Sequence, residues 1–93
     1  MHRAVIYFTR KLPSLSEELS QAGLQVYEAV AISEVFYLAE QHPNAQVIVD
    51  HTVEDRAAHE VAQHHITLGL TREATAAGVL WELSSFGDDA TVH

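Results

Sequence analysis

Asp50 and His51 are the residues of this chain whose types and spacing first suggest chemistry. They follow the apolar run Val47-Ile48-Val49, so a carboxylate and an imidazole stand where a buried strand would end. An adjacent carboxylate and imidazole can act as an acid–base pair. Side chains that are neighbours in a strand point to opposite faces, however, which argues against a shared proton. A small acid–base enzyme at these two residues is therefore one hypothesis, with Asp50 as the central residue.

Histidines are frequent in this chain, which has seven of them and no cysteine. Imidazole is a common metal ligand, but His64 and His65 would point in different directions on a helix. A His-Glu-x-x-His pattern is absent, and zinc sites that need a thiolate are excluded. We therefore expect no metal site and no cofactor. His59, His64 and His65 are better explained as solvated residues in the second half of a helix.

Strand-forming and helix-forming patterns alternate along the whole chain. Four short runs rich in strand-forming residues lie at 4–8, 24–29, 46–50 and 66–70. Amphipathic helical patterns follow each of these runs. Such alternation predicts right-handed crossovers and one parallel sheet covered on both faces, as a single α/β domain. Ligand sites in such sheets lie beyond the carboxyl ends of the strands, which is where Asp50 stands.

Capping and breaking residues set the predicted boundaries of the last two helices. Thr52-Val53-Glu54-Asp55 resembles a capping box and predicts a helix start behind Thr52. Thr71 is predicted to cap the last helix and Gly87 to end it, which leaves residues 86–93 as a tail. A fifth strand at 79–83 is the alternative to this helix. Only eight residues would separate it from the fourth strand, and a parallel crossover needs about a dozen.

The composition limits the class of protein and its partners. An apolar fraction of 47% is typical of a globular domain, and the formal net charge is −8. This charge argues against a general nucleic-acid binder and against docking on anionic membranes. The first apolar run is too short for a signal peptide, and no run approaches the length of a transmembrane helix. We therefore expect a cytoplasmic protein.

Residues 28–50 resemble a response-regulator receiver domain. A helix rich in Ala, Glu and Leu leads through His42-Pro43-Asn44-Ala45 into Val47-Ile48-Val49-Asp50. The resemblance makes Asp50 the positional match of the aspartate that accepts a phosphoryl group in receivers. Thr71 is similarly placed to the Ser or Thr that senses this group. The resemblance implies a flavodoxin-like fold, here with four strands in the order 2-1-3-4.

The chain departs from receivers at the residues that carry their chemistry. Receivers hold Mg²⁺ with an acidic pair after the first strand, where this chain has Thr9 and Arg10, and its only lysine is Lys11. Phosphoryl transfer depends on neutralised charge, and Mg²⁺ needs carboxylate ligands. We therefore predict a phosphorylation-independent interaction module rather than an enzyme, with Arg10 or Lys11 paired to Asp50. Thr9 and Thr71 would line the same site, and an active phospho-acceptor at Asp50 is the alternative.

The carboxy-terminal part of the chain predicts self-association. Without a fifth strand, the fourth strand is a sheet edge, and residues 66–70 contain no lysine or proline to block further pairing. The last helix carries more apolar surface than one sheet face would cover. Leu80, Trp81 and Phe86 are the predicted interface residues of a homodimer. The sequence also implies a second protein partner, whose identity it does not specify.

Overall fold

The computed structural model describes residues 3–11 and 15–92, and side chains are described as far as residue 84. Strands and helices alternate along the chain, as the sequence predicts. The elements are β1 (Ala4–Phe8), α1 (Ser16–Gln21), β2 (Gln25–Ala29), α2 (Ile32–Gln41), β3 (Gln46–Val49), α3 (Asp55–Ala62), β4 (Thr67–Gly69) and α4 (Ala76–Val92).

The sheet has four parallel strands in the order β2-β1-β3-β4. The predicted order 2-1-3-4 and the flavodoxin-like α/β class are therefore confirmed. The last residues of the four strands share one register line: Phe8, Ala29, Val49 and Gly69. Because all four strands end level, the loops that follow them meet at one edge of the sheet.

Two apolar clusters fill the space between the sheet and its helices. One face of the sheet is covered by α2 and α3, and the other by α1 and α4. Alternate side chains of the buried strands enter opposite clusters. The first cluster contains Ile6, Phe8, Ala29, Val35, Val47, Val49, Val53, Ala57 and Val61, and the second contains Val5, Tyr7, Leu19, Ile48, Leu68, Val79 and Leu83.

The last two helices start later than the capping pattern predicts. Helix α3 begins at Asp55 rather than directly behind Thr52, whose hydroxyl is bound elsewhere. Helix α4 begins at Ala76, and its first turn is capped by Thr75, whose Oγ1 accepts the amide of Gly78 at 3.1 Å. Thr71 lies in the preceding loop, so its predicted capping role is wrong.

Helix α4 is the longest element of the described chain, and it replaces the alternative fifth strand at 79–83. Its backbone continues through Gly87 to Val92, so the predicted tail over residues 86–93 is helical as far as Val92. An internal glycine lowers helix stability by about 1 kcal/mol, which the remaining residues of a long helix can offset. His93 and the side chain of Phe86 lie outside the described part. Neither α4 nor any other helix within residues 3–11 and 15–92 has the length and hydropathy of a membrane span.

Candidate functional site

Asp50 lies directly behind β3, at the edge where the four strands end. Its amide donates to the carbonyl of Phe8 at 2.8 Å, and its side chain is only 7% exposed. Three hydroxyl groups donate to its carboxylate. Oδ1 accepts the hydroxyl of Tyr7 at 2.9 Å, and Oδ2 accepts those of Thr9 at 3.0 Å and Thr52 at 2.8 Å. Each carboxylate oxygen therefore accepts at least one hydrogen bond from the protein.

The two threonine hydroxyls also tie the loop after β1 to the end of β3. The amide of Arg10 donates to Oγ1 of Thr52 at 2.9 Å, and the amide of Lys11 donates to Oγ1 of Thr9 at 3.3 Å. Each hydroxyl thus accepts a backbone amide while it donates to Asp50. Hydrogen bonds in such chains polarise and strengthen one another. The carboxylate therefore acts as the anchor of a connected network.

The network also sets the protonation state of Asp50. Burial raises the pKa of the carboxyl, but the hydrogen bonds from Thr52, Tyr7 and Thr9 lower it by more. The net result is a pKa below the usual range of an aspartate. Asp50 is therefore an ionised, buried acceptor in the folded protein at neutral pH.

This lowered pKa predicts an acid-dependent loss of stability. Because the pKa in the folded state lies below that of the unfolded chain, ionised Asp50 stabilises the fold above the unfolded pKa, about 3.9. We expect the difference in free energy of unfolding between the wild type and Asp50→Asn to be constant at neutral pH. It should shrink below about pH 4, as the carboxyl is protonated. Urea titrations at a series of pH values measure it, and a pH-independent difference would contradict the network.

The predicted pairing of Asp50 with Arg10 is wrong. The guanidinium of Arg10 instead binds both carboxylate oxygens of Glu54, at 3.0 and 3.1 Å, and also donates to the carbonyl of Val30. Arginine favours this two-point geometry, and an exposed carboxylate offers it without competing donors. No ion pair joins Lys11 to Asp50 within the part of the chain that the structure describes.

Asp50 opens onto a pocket of about 320 Å³ at this edge of the sheet. The pocket brings together Lys11 and Thr71, which the sequence places at the site, with Asp50. It also contains Arg72, which the sequence analysis did not single out. The full lining is Lys11, Leu15, Asp50, His51, Thr52, Thr71, Arg72 and Ala74. Two cationic side chains and one buried carboxylate therefore surround the same space.

His51 lies closer to Asp50 than strand geometry predicts. Because β3 ends at Val49, the alternation of side chains along a strand does not extend to this pair. Nδ1 of His51 is 3.5 Å from Oδ1 of Asp50, and the imidazole lines the pocket. The hydroxyl of Thr52 donates to Asp50 rather than to His51. The geometry thus brings an acid–base pair together without aligning a nucleophile on the imidazole.

The residues around Asp50 do not fit a magnesium site. Mg²⁺ requires near-octahedral oxygen ligands and is usually held by one or two carboxylates together with water or phosphate oxygens. Asp50 is the single carboxylate among the described residues that line the pocket, and it is already bound by three hydroxyl donors. Across the described residues, no three histidine, aspartate or glutamate side chains lie close enough to hold a metal ion. His64 and His65 instead contact the ring of Phe36.

Tyr7 and Thr52 belong to the site, and the sequence analysis missed both roles. The ring of Tyr7 is fully buried in the core, and its hydroxyl reaches Asp50. Tyr7 is in register with Ile48, so Asp50 lies two residues further along the same face. The predicted adjacency of strands one and three, with a tyrosine near the end of strand one, was the available signal.

Comparisons of this chain with protein-family models, with curated proteins and with solved structures found no match. The inference of function therefore starts from the contacts of Asp50 and from the charge around its pocket. These features have a direct chemical meaning, because they decide whether the carboxylate can react and which ligands the pocket can hold.

Proposed function

We propose that this protein is a receiver-like interaction module that acts by binding in signalling or regulation, without phosphorylation and without catalysis. The observation that carries the proposal is the occupied carboxylate of Asp50. An aspartate that accepts a phosphoryl group must present an oxygen lone pair to phosphorus. Here, Asp50 is only 7% exposed, and hydroxyl donors from Tyr7, Thr9 and Thr52 already bind its oxygens, which limits both its nucleophilicity and the approach of a phosphoryl donor.

The charges around the pocket support the same proposal. A receiver that transfers phosphoryl groups relies on a metal ion to neutralise the developing charge. Thr9 and Arg10 stand where the acidic pair of such receivers would be, and Arg10 is bound to Glu54. The three hydroxyls around Asp50 are neutral, so they add no negative charge to that of Asp50 for the neutralisation of Mg²⁺. Asp50 then has a structural role at the edge of the sheet where the strands end, because it binds the loop after β1 through Thr9.

Two other functions each have one observation in their favour. An active phospho-acceptor is supported by Asp50 and Thr71 lining the same pocket. A small acid–base enzyme is supported by the 3.5 Å separation of His51 and Asp50. Both functions require a substrate or a phosphoryl donor to reach a carboxylate that is only 7% exposed. Displacing its partners is disfavoured, because the buried hydroxyls of Tyr7 and Thr9 would lose their charged acceptor.

Exposure to a phosphoryl donor tests the proposal directly. We expect the protein to show no covalent phosphate after incubation with acetyl phosphate and Mg²⁺, because the carboxylate of Asp50 is buried and bound by three hydroxyl donors. Beryllofluoride with Mg²⁺ should likewise leave the amide chemical shifts of Asp50 and Thr9 unchanged. Mass spectrometry and amide spectra provide the two measurements, with Asp50→Asn as the control. Phosphorylation or shifts confined to these residues, and absent in the variant, would establish the phospho-acceptor instead.

A second copy of this chain is the partner that we propose for α4. Trp81 is 74% exposed and lies on the side of α4 opposite Val79 and Leu83, which are buried against the sheet. Ala77 and Ser84 are its neighbours on that outer side, at helical spacings of four and three residues. A two-fold axis would place each Trp81 over the small residues of the other helix, which allows close packing.

The other two predicted interface residues, Leu80 and Phe86, give the homodimer less support. Leu80 is partly buried and packs against the cluster of its own chain, and Phe86 lies beyond the described side chains. Ile66, just before β4, is 84% exposed beside the open sheet edge. Strand β4 has only three residues, so its edge offers few amides and carbonyls for further pairing. The proposed dimer therefore depends mainly on the outer side of α4.

A further inference from the structure

The pocket at Asp50 concentrates positive charge in a strongly acidic protein. The chain has five lysine and arginine residues against thirteen acidic ones, yet Lys11 and Arg72 both line this one pocket. Two of the other cations are bound to acceptors, Arg3 to the carbonyl of Leu83 and Arg10 to Glu54. Neither the Lys11 ammonium nor the Arg72 guanidinium has a hydrogen-bond or ion-pair partner within the described residues. Two cations with unused donors therefore face the same cavity.

The carboxylate of Asp50 does not cancel these two charges. It is 7% exposed, and its oxygens are held by Tyr7, Thr9 and Thr52, whose hydroxyl dipoles oppose its field. The Debye length is about 8 Å at physiological ionic strength, so distant acidic residues are largely screened at the pocket. The local balance of two cations against one engaged carboxylate is positive. A small anion is the ligand that this balance favours.

The donors around the pocket indicate which class of anion fits. Lys11 and Arg72 supply charged donors, and Thr71 adds a hydroxyl that has no partner in the described part of the chain. A phosphate monoester carries a charge of about −1.5 to −2 at pH 7, which matches the two cations, whereas a carboxylate carries a charge of only −1. The volume of about 320 Å³ accommodates a phosphate group and a small organic substituent. We infer that this pocket binds the phosphate group of a small phosphate monoester, non-covalently and without a metal ion.

This inference deepens the proposed function and rests on it, because non-covalent binding requires Asp50 to remain engaged by its hydroxyl partners. The ligand would act as an effector of the binding module. It would reach from Lys11, after β1, to Thr71 and Arg72, after β4, and thus link the loops at two separated strands. Binding there would stabilise the folded protein by mass action.

Titration with phenyl phosphate, followed by amide spectra in the presence of EDTA, tests the inference. We expect saturable shifts at Lys11, His51, Thr71 and Arg72, with a dissociation constant of about 1 mM, as for a ligand held by a few exposed contacts. Lys11→Gln and Arg72→Gln should each weaken binding by about fivefold, the upper range for an exposed charge pair. Inorganic phosphate should shift the same amides, which separates the phosphate group from the phenyl ring as the source of binding.

Arg56→Gln is the matched control, since Arg56 is exposed on α3 and does not line the pocket. It changes the net charge equally, so it should leave the phenyl phosphate affinity unchanged. Equal weakening in all three variants, shifts spread over the surface, or tighter binding of benzoate than of phenyl phosphate would each overturn the inference. The titration contains no phosphoryl donor and no free Mg²⁺. Covalent modification with acetyl phosphate would instead defeat the proposed function, even if phenyl phosphate still bound through Lys11 and Arg72.

Discussion

Replacing Asp50 with alanine is expected to lower the free energy of unfolding by about 3 kcal/mol, a large fraction of the stability of a small domain. Stability is lost because the substitution removes the shared acceptor of three hydroxyl donors. The hydroxyl of Tyr7 is buried and those of Thr9 and Thr52 are largely enclosed, and each would lose its charged acceptor. The loop after β1 would also lose its anchor. Urea denaturation at neutral pH, followed by far-UV circular dichroism, measures the change.

Glu60→Ala is the matched control for this substitution. Glu60 is an exposed carboxylate on α3, so its removal changes the net charge equally and should alter the stability by less than about 0.5 kcal/mol. Stability equal to or above the wild type in Asp50→Ala would contradict the structural role. That outcome is typical of a carboxylate that is retained for its activity at the expense of stability.

Replacing Trp81 with glutamate is expected to convert a dimer into a monomer. The wild type should sediment with a mass near twice the 10.3 kDa of the chain at tens of micromolar, and Trp81→Glu should sediment as the single chain. The change buries a carboxylate in the centre of the proposed interface and removes its aromatic anchor. Truncation of such an anchor costs about 2 kcal/mol or more of binding free energy. Analytical ultracentrifugation over a range of concentrations provides the measurement.

Tyr37→Glu controls for the added charge and for the loss of an exposed aromatic ring. Tyr37 is 61% exposed on α2, which covers the other face of the sheet. Its substitution should leave the dimer intact. Two outcomes would contradict a dimer interface on α4. One is a wild type that sediments at 10.3 kDa at every concentration, and the other is an equal loss of mass in Trp81→Glu and Tyr37→Glu.

The sheet could be predicted from sequence because its two central strands, β1 and β3, are buried on both faces. The runs at 4–8 and 46–50 are nearly continuous in apolar residues, which is typical of parallel strands covered on both sides. Their order followed from right-handed crossovers together with the receiver resemblance. Asp50 could be identified as the central residue of the site for the same reason, since it is the first polar residue after a buried strand.

The partners of Asp50 could not be predicted, because they depend on competition between local and distant acceptors. Thr52 has the spacing of a helix cap, yet its hydroxyl donates to the carboxylate of Asp50 instead of capping α3. Arg10 was expected to bind Asp50, but Glu54 offers it a two-point contact at the surface. In both cases the sequence correctly identifies a group that can form a hydrogen bond. The choice of partner is decided by the register of β1 against β3 and by the loop geometry.

The division of the core between two pairs of helices has a consequence for the order in which this protein folds during synthesis. The face covered by α2 and α3 is complete once residue 62 has been made, whereas the opposite face still lacks α4. Tyr7 lies on that opposite face, in the cluster that Val79 and Leu83 complete. A small domain folds as a cooperative unit. Because the ring of Tyr7 is enclosed only when Val79 and Leu83 of α4 are present, we expect that a growing chain cannot complete the candidate site until α4 has been made.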